Sequence, residues 1–338
     1  SAFGSRISAA AGESTNVELV TKLQKIGGNG PIMCNAMLGY GAELTYIGAL
    51  GKDQPEAVFA PLVSRTREVI TLGPPALTDA LEFQDGKLML GKVQPFEAVT
   101  YEAVAAAVGL QRLIELCSES AAIVSVNWTM LMNLTSIWEG LLQDVLPQVA
   151  AKGKRPIFFV DIADPKKRTR EDLKGCLDTL AAVQQYCNVV LSLNCSETRQ
   201  CLEVMGGGWE GGTEDYEAAR AAAAALQQKT GLHMIQVHLK ASAAGATATE
   251  SVGVPGYYTA QPVITTGGGD HFNSGFLSAL LSGCSLGDAL RIGGATSGNY
   301  VRGVSSRGQV TIGLSPLAED TVAFLNNLPS IDSIPTSS

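Results

Sequence analysis

Past Thr100 the chain alternates between amphipathic stretches and short apolar runs. Apolar residues at three- and four-residue spacing predict helices over 101–118, 134–150, 170–187, 196–204 and 214–230. Runs rich in β-branched and aromatic residues predict strands over 121–127, 156–162, 188–193 and 233–239. Two of these runs, Ile157-Phe158-Phe159-Val160-Asp161 and Val189-Val190-Leu191-Ser192-Leu193, are apolar on both faces, as expected of strands in a parallel sheet covered by helices on both sides. The pattern therefore predicts an α/β fold. Ligands of such sheets gather at the C-terminal strand edge, which is where Asn127, Asp161, Asn194 and Asp270 fall.

Before Thr100 the pattern is less regular. Ser14-Thr15-Asn16 caps a predicted helix through Lys25, and Gly27-Gly28-Asn29-Gly30-Pro31 breaks the chain. A second helix carries Met33, Met37 and Leu38, and a strand follows at Leu44-Thr45-Tyr46-Ile47-Gly48. From Leu77 the period shortens to two, with Leu77, Leu81 and Phe83 on one face. Asp85-Gly86 then gives a two-residue turn and Lys87-Leu88-Met89-Leu90 a return strand. The Ala-rich stretch 218–225 reads as a packed helix, and the Pro- and Ser-rich tail from Leu328 is expected to fray.

Composition narrows the function. The 338 residues suffice for one large α/β domain or two. At 46% hydrophobic with no uninterrupted apolar run long enough for a bilayer, the chain reads as soluble, with no membrane partner. A net charge of −8 argues against a nucleic-acid surface. The 7 cysteines are odd in number and lack C-x-x-C spacing, which favours reduced thiols in a cytoplasm. The 3 histidines show no metalloenzyme spacing. Ser1 is not an initiator Met and opens no signal-peptide pattern, which leaves room for the chain to begin inside a longer one.

The chemistry concentrates in Thr265-Thr266-Gly267-Gly268-Gly269-Asp270-His271-Phe272-Asn273-Ser274-Gly275-Phe276. An extended run, Gln261 to Ile264, precedes it and a buried-helix pattern follows, so the order is strand, glycine turn, helix. Glycines at a helix start let backbone N–H groups converge on an anion, and a carboxylate there can act as a base. Read alone, Asp270 is equally an N-cap.

As a whole the string is similar to the second signature of the ribokinase-like (PfkB) carbohydrate kinase family, D-T-T-G-A-G-D-x-F-N-x-G-F, with Ile264 in place of the opening acid. The piece from Gly27 to Asp53 resembles that family's first signature, whose G-G-x-x-x-N turn faces the sugar. Ile32 stands where the family has Asn, and Asn29 is the nearest replacement. Asn194-Cys195-Ser196-Glu197 fits the family's N-x-x-E, and the strand end at His238 and Lys240 departs from its T-L-G-x-x-G.

The resemblance implies a three-layer α/β/α ribokinase-like fold with a mostly parallel sheet and a small β lid. It would be one domain over 1–338, with the lid at about 74–97 and a contribution from 1–29. It implies transfer of the γ-phosphoryl of ATP to a hydroxyl of a sugar or polyol, with Asp270 as base and Gly267, Gly268 and Gly269 as anion hole. Gly27, Gly28, Asn29 and Asn127 would meet the sugar, Lys240, Thr266 and Gly294 the nucleotide, and Asn194 with Glu197 the waters of Mg²⁺. The apolar hairpin face predicts a homodimer. A kinase of nucleosides or other small alcohols and a non-catalytic sugar sensor are the alternatives.

Overall fold

The computed structural model describes residues 2–83, 86–209, 211–212 and 215–303. In chain order the elements begin with α1 (Ala2–Ala9), α2 (Asn29–Gly39), β1 (Thr45–Gly48), α3 (Ala60–Val63) and β2 (Glu68–Thr71). The hairpin follows as β3 (Leu77–Phe83) and β4 (Gly86–Lys92), then α4 (Tyr101–Val108), α5 (Leu110–Glu119), β5 (Ala122–Val126), α6 (Leu134–Asp144) and α7 (Leu146–Ala151). Next come β6 (Ile157–Asp161), α8 (Arg170–Val183), β7 (Asn188–Asn194), α9 (Cys195–Val204) and α10 (Tyr216–Thr230). The described chain closes with β8 (Met234–His238), β9 (Ser242–Thr247), β10 (Ser251–Pro255), α11 (Gly268–Leu281) and α12 (Leu286–Arg302).

Among the described residues six strands form one sheet in the order β10-β9-β8-β7-β6-β5. The four from β5 to β8 are parallel, and β9 and β10 add antiparallel strands at one edge. The doubly apolar strands divide their side chains as alternation requires. Phe158, Val160, Val189 and Leu191 enter a core shared with α5 to α10, whereas Phe159 and Val190 enter one built by α2, α11 and α12. The fold is therefore α/β with helices on both faces of a mostly parallel sheet. Among the described residues no helix is long and apolar enough to cross a membrane.

Several predicted elements differ. No helix forms over 14–25: Val17, Val20 and Leu23 are 39%, 72% and 66% exposed, so the apolar stripe finds no surface to pack on, and a short unpacked helix is marginal in water. The run 101–118 divides at Gly109, whose φ of 81° ends α4. The run 134–150 divides at Val145, with Pro147 opening α7. Residues 261–264 join no strand, because the N–H groups of Val263 and Ile264 both reach the Val301 carbonyl. Conversely β9, spelled Ser-Ala-Ala-Gly-Ala-Thr, has weak strand propensity. Pairing on both sides fixes it, along with Leu286, which a Cβ at Gly245 would approach to 2.8 Å. Asp85 of the hairpin turn and the tail from Leu328 lie outside the described residues.

Candidate active site

The site lies where β6, β7 and β8 end and α11 begins. Gly267 caps α11 with φ 95°, and a Cβ there would sit 2.9 Å from the Tyr300 hydroxyl, so both backbone and packing require glycine. The Gly268 N–H bonds the Thr265 carbonyl at 3.1 Å, and among the described residues no backbone acceptor takes the N–H of Gly269 or Asp270. Asp270 is 6% exposed in the first turn. Asn29, from the first turn of α2, donates Nδ2 to Asp270 Oδ1 at 2.9 Å. Ser274 Oγ lies 2.7 Å from the Asp270 carbonyl oxygen and 3.1 Å from that of Met33, tying α11 to α2.

Behind this turn runs a buried polar chain that local spacing does not reveal. Asp161, which the sequence places at the C-terminal strand edge, accepts from the Ala163 N–H at 2.8 Å and from Asn273 Nδ2 at 2.7 Å. Ser192 Oγ donates to Asn273 Oδ1 at 2.7 Å, and His238 Nδ1 stands 3.4 Å from Ser192. The His238 ring stacks on Phe272 with centroids 5.3 Å apart, and a Cβ at Gly269 would lie 3.1 Å from His238 Nε2. Burial pushes the His238 imidazole down to about 4, so it is neutral. The signal that could have found Asn273 is its place three residues after Asp270, one helical turn along α11.

Asn194 and Glu197 form a reciprocal cap at the start of α9. The Asn194 N–H donates to Glu197 Oε2 at 2.8 Å, and the Glu197 N–H to Asn194 Oδ1 at 3.1 Å. Burial, then the neighbouring Asp161, raises Glu197 well above the usual carboxylate range. The same two causes, in the same order, raise Asp270, and the Asn29 bond partly offsets them. Burial also raises Asp161. Among the described residues no Lys, Arg or His pairs with any of the three carboxylates. No three His, Cys, Asp or Glu side chains there converge closely enough to hold a metal directly. An uncompensated group of hard oxygens fits a hydrated divalent cation touched through its waters, and it does not fit a fully protein-ligated one.

The remaining candidates are placed as follows. Gly28 precedes α2 with φ 83° and is exposed, as is Gly27. Ile32 approaches Gly267, 3.4 Å from where a Cβ would stand. Asn127 follows β5 with φ 70° and a buried Oδ1 that has no partner among the described residues, while its N–H bonds the Asp161 carbonyl at 2.9 Å. The Thr266 carbonyl accepts from Tyr300 at 2.9 Å. Lys240 is exposed two residues beyond His238. Gly294 lies on α12 beneath Tyr257, 3.4 Å from where its Cβ would be. The structure thus joins Asp270, the glycine turn, Thr266 and Asn29 around one point, and it sets Gly294 under a tyrosine ring.

Comparison with known proteins adds four findings. The family model for prokaryotic ketohexokinase matches residues 1–312. The chain is 29% identical over 308 residues to a ketohexokinase of Haloferax volcanii, a match covering 89% of this chain and 78% of that one. Among solved structures it is similar to a ribokinase from Thermotoga maritima (TM-score 0.61, 18% identity, 94% and 92% of the two chains). It is also similar to a putative ribokinase II of E. coli in complex with ATP and Mg²⁺ (TM-score 0.60, 13% identity, 93% and 95%). At these identities the structural likeness shows the fold.

Proposed function

The chain belongs to the prokaryotic ketohexokinase family, a carbohydrate kinase that moves phosphate from ATP to a sugar, and we propose that its acceptor is a ketohexose with Asp270 as base. The observation that carries this reading is the Asp270 carboxylate itself. It is buried at the head of α11, held on Oδ1 by Asn29, and it stands beside N–H groups that have no backbone acceptor among the described residues.

Oδ2 then takes the proton of the attacking hydroxyl. Burial and Asp161 raise the proton affinity of Asp270 above that of a free carboxylate, which strengthens it as an acceptor. The N–H groups of Gly269 and Asp270, with the α11 macrodipole and Gly267 and Gly268 shaping the turn, meet the charge on the transferred group. Gly27, Gly28, Asn29 and Asn127 line the sugar side, and Thr266, Lys240 and Gly294 the nucleotide side. Mg²⁺, when bound with ATP, neutralises phosphate charge, and Asn194 and Glu197 would hold it through its waters. The segment 74–97, with a contribution from 1–29, forms the lid of the single domain and pairs two copies of the chain. The cysteines are all free, which supports a reducing cytoplasm.

Asp270→Asn tests the reading, because Asn keeps the size and can still accept from Asn29 through Oδ1 but cannot take up the proton. The expected result is a kcat loss of about 10²–10⁴-fold with nucleotide affinity and melting temperature near wild type. Turnover above a tenth of wild type would leave Asp270 a structural place in the first turn of α11, whose cap is Gly267 and not Asp270 as the sequence allowed.

A further inference from the structure

The glycine turn is held from behind by two rings that the mechanism does not use. The Thr266 carbonyl accepts from the Tyr300 hydroxyl at 2.9 Å. The next carbonyl, that of Gly267, accepts from the His271 backbone N–H at 3.0 Å and from His271 Nδ1 at 2.8 Å. A carbonyl can only accept, so Nδ1 carries the proton, and Nε2 is left buried with no partner among the described residues. The two rings lie against each other, centroids 3.6 Å apart and planes 12° apart. Two elements, α11 and the last turn of α12, therefore grip consecutive carbonyls of one turn.

That grip has a direction. A peptide unit whose carbonyl is fixed has its N–H fixed too, on the opposite side. Holding the Thr266 and Gly267 carbonyls back fixes the two peptide planes of the turn, with the Gly267 N–H on the side away from the rings and the Gly268 N–H on the Thr265 carbonyl, and so fixes the entry to α11 where the N–H groups of Gly269 and Asp270 stand. The left-handed backbone at Gly267 is the conformation in which this happens. The same Tyr300 hydroxyl would clash with a Cβ at Gly267, so ring and glycine form one device. The approach to the turn is gripped by α12 as well: the Val301 carbonyl takes the N–H groups of Val263 and Ile264, and Arg302 donates to the carbonyls of Tyr257 and Tyr258.

We propose that Tyr300 and His271 are positioning residues that preset the glycine turn for the charge of the transferred phosphoryl group. The proposal rests on the reading of Asp270 and that turn as the site of transfer. A preset turn contributes most where charge is greatest, in the transition state, and little to ground-state nucleotide binding.

Tyr300→Phe removes only the hydroxyl and keeps the stack. Its kcat should fall on the order of 10-fold with KM for sugar and ATP within about two-fold. Affinity for ADP with aluminium fluoride and sugar, which mimics the group in flight, should fall by a similar factor in titration calorimetry, whereas affinity for ADP alone should not change. His271→Asn places an amide N–H near the former Nδ1 and should retain more of kcat than His271→Leu, which has no donor. Wild-type kcat and wild-type aluminium fluoride affinity in Tyr300→Phe, with only a lower melting temperature, would overturn the proposal. A raised KM for ATP at unchanged kcat would also overturn it, by making Tyr300 a nucleotide contact. Asp270→Asn separates the two readings. If that variant is inactive while Tyr300→Phe is normal, only the brace falls; if it is active, the reading of the site falls first.

Discussion

Asn29 holds one oxygen of Asp270 and so governs the proton affinity of the other. Its hydrogen bond favours the charged carboxylate, against burial and Asp161, which favour the neutral acid. Removing the donor leaves the two raising effects unopposed. In Asn29→Ala the acid limb of the kcat/KM profile should therefore move to higher pH. Asn29 follows the capping Gly28 and gives no side-chain cap of its own, so helix stability should change little. An unmoved limb would mean that the bond to Asp270 does not set its proton affinity, leaving Asn29 only its place on the sugar side. Asp270 and its glycines are legible in the sequence because they are adjacent. The chain of Asp161, Asn273, Ser192 and His238 is not, since its links span 112, 81 and 46 residues and only the sheet brings them together.

The hairpin is the element with the most unfinished surface. Register pairs Leu81 with Leu88 and Phe83 with Gly86, which puts Leu77, Leu81, Phe83, Leu88 and Leu90 on one face. Leu77, Phe83, Leu88 and Leu90 are 41–49% exposed, although the Phe3 ring of α1 lies against Phe83, at 5.7 Å between centroids. A two-stranded hairpin with an open apolar face is marginal alone, so a second copy is the expected cover. Light scattering should give about twice 35.3 kDa for the wild type, and Leu88→Asp should lower it toward the single-chain value. A wild-type mass near 35.3 kDa would rule out this pairing. Here sequence periodicity was informative, because a period of two needs no partner to be seen. It misled over 14–25, where an apolar stripe exists without a surface to receive it. It was silent for β9, whose small residues become a strand only through their neighbours.

At the scale of the molecule, the buried histidines set a cost that the rest of the fold must carry as pH falls. His271 is pushed down to about 4 by burial, with the Gly267 carbonyl acting in the opposite sense. The unfolded chain binds its proton near 6.5, so between the two values the unfolded state takes up a proton that the native state refuses. Stability supplied by this group is therefore complete above the unfolded value and lost as pH falls toward the folded one. The loss is roughly 2 kcal/mol by pH 5. The buried carboxylates act in the opposite direction over part of that range, since their raised folded values favour proton uptake. The absolute pH dependence of melting thus mixes both signs, but a difference between variants separates them. His271→Asn keeps a donor for Gly267 and does not titrate, so its melting temperature relative to wild type should rise by a few degrees as pH falls from 7 to 5. A constant difference across that range would mean that His271 is solvated enough to protonate in place.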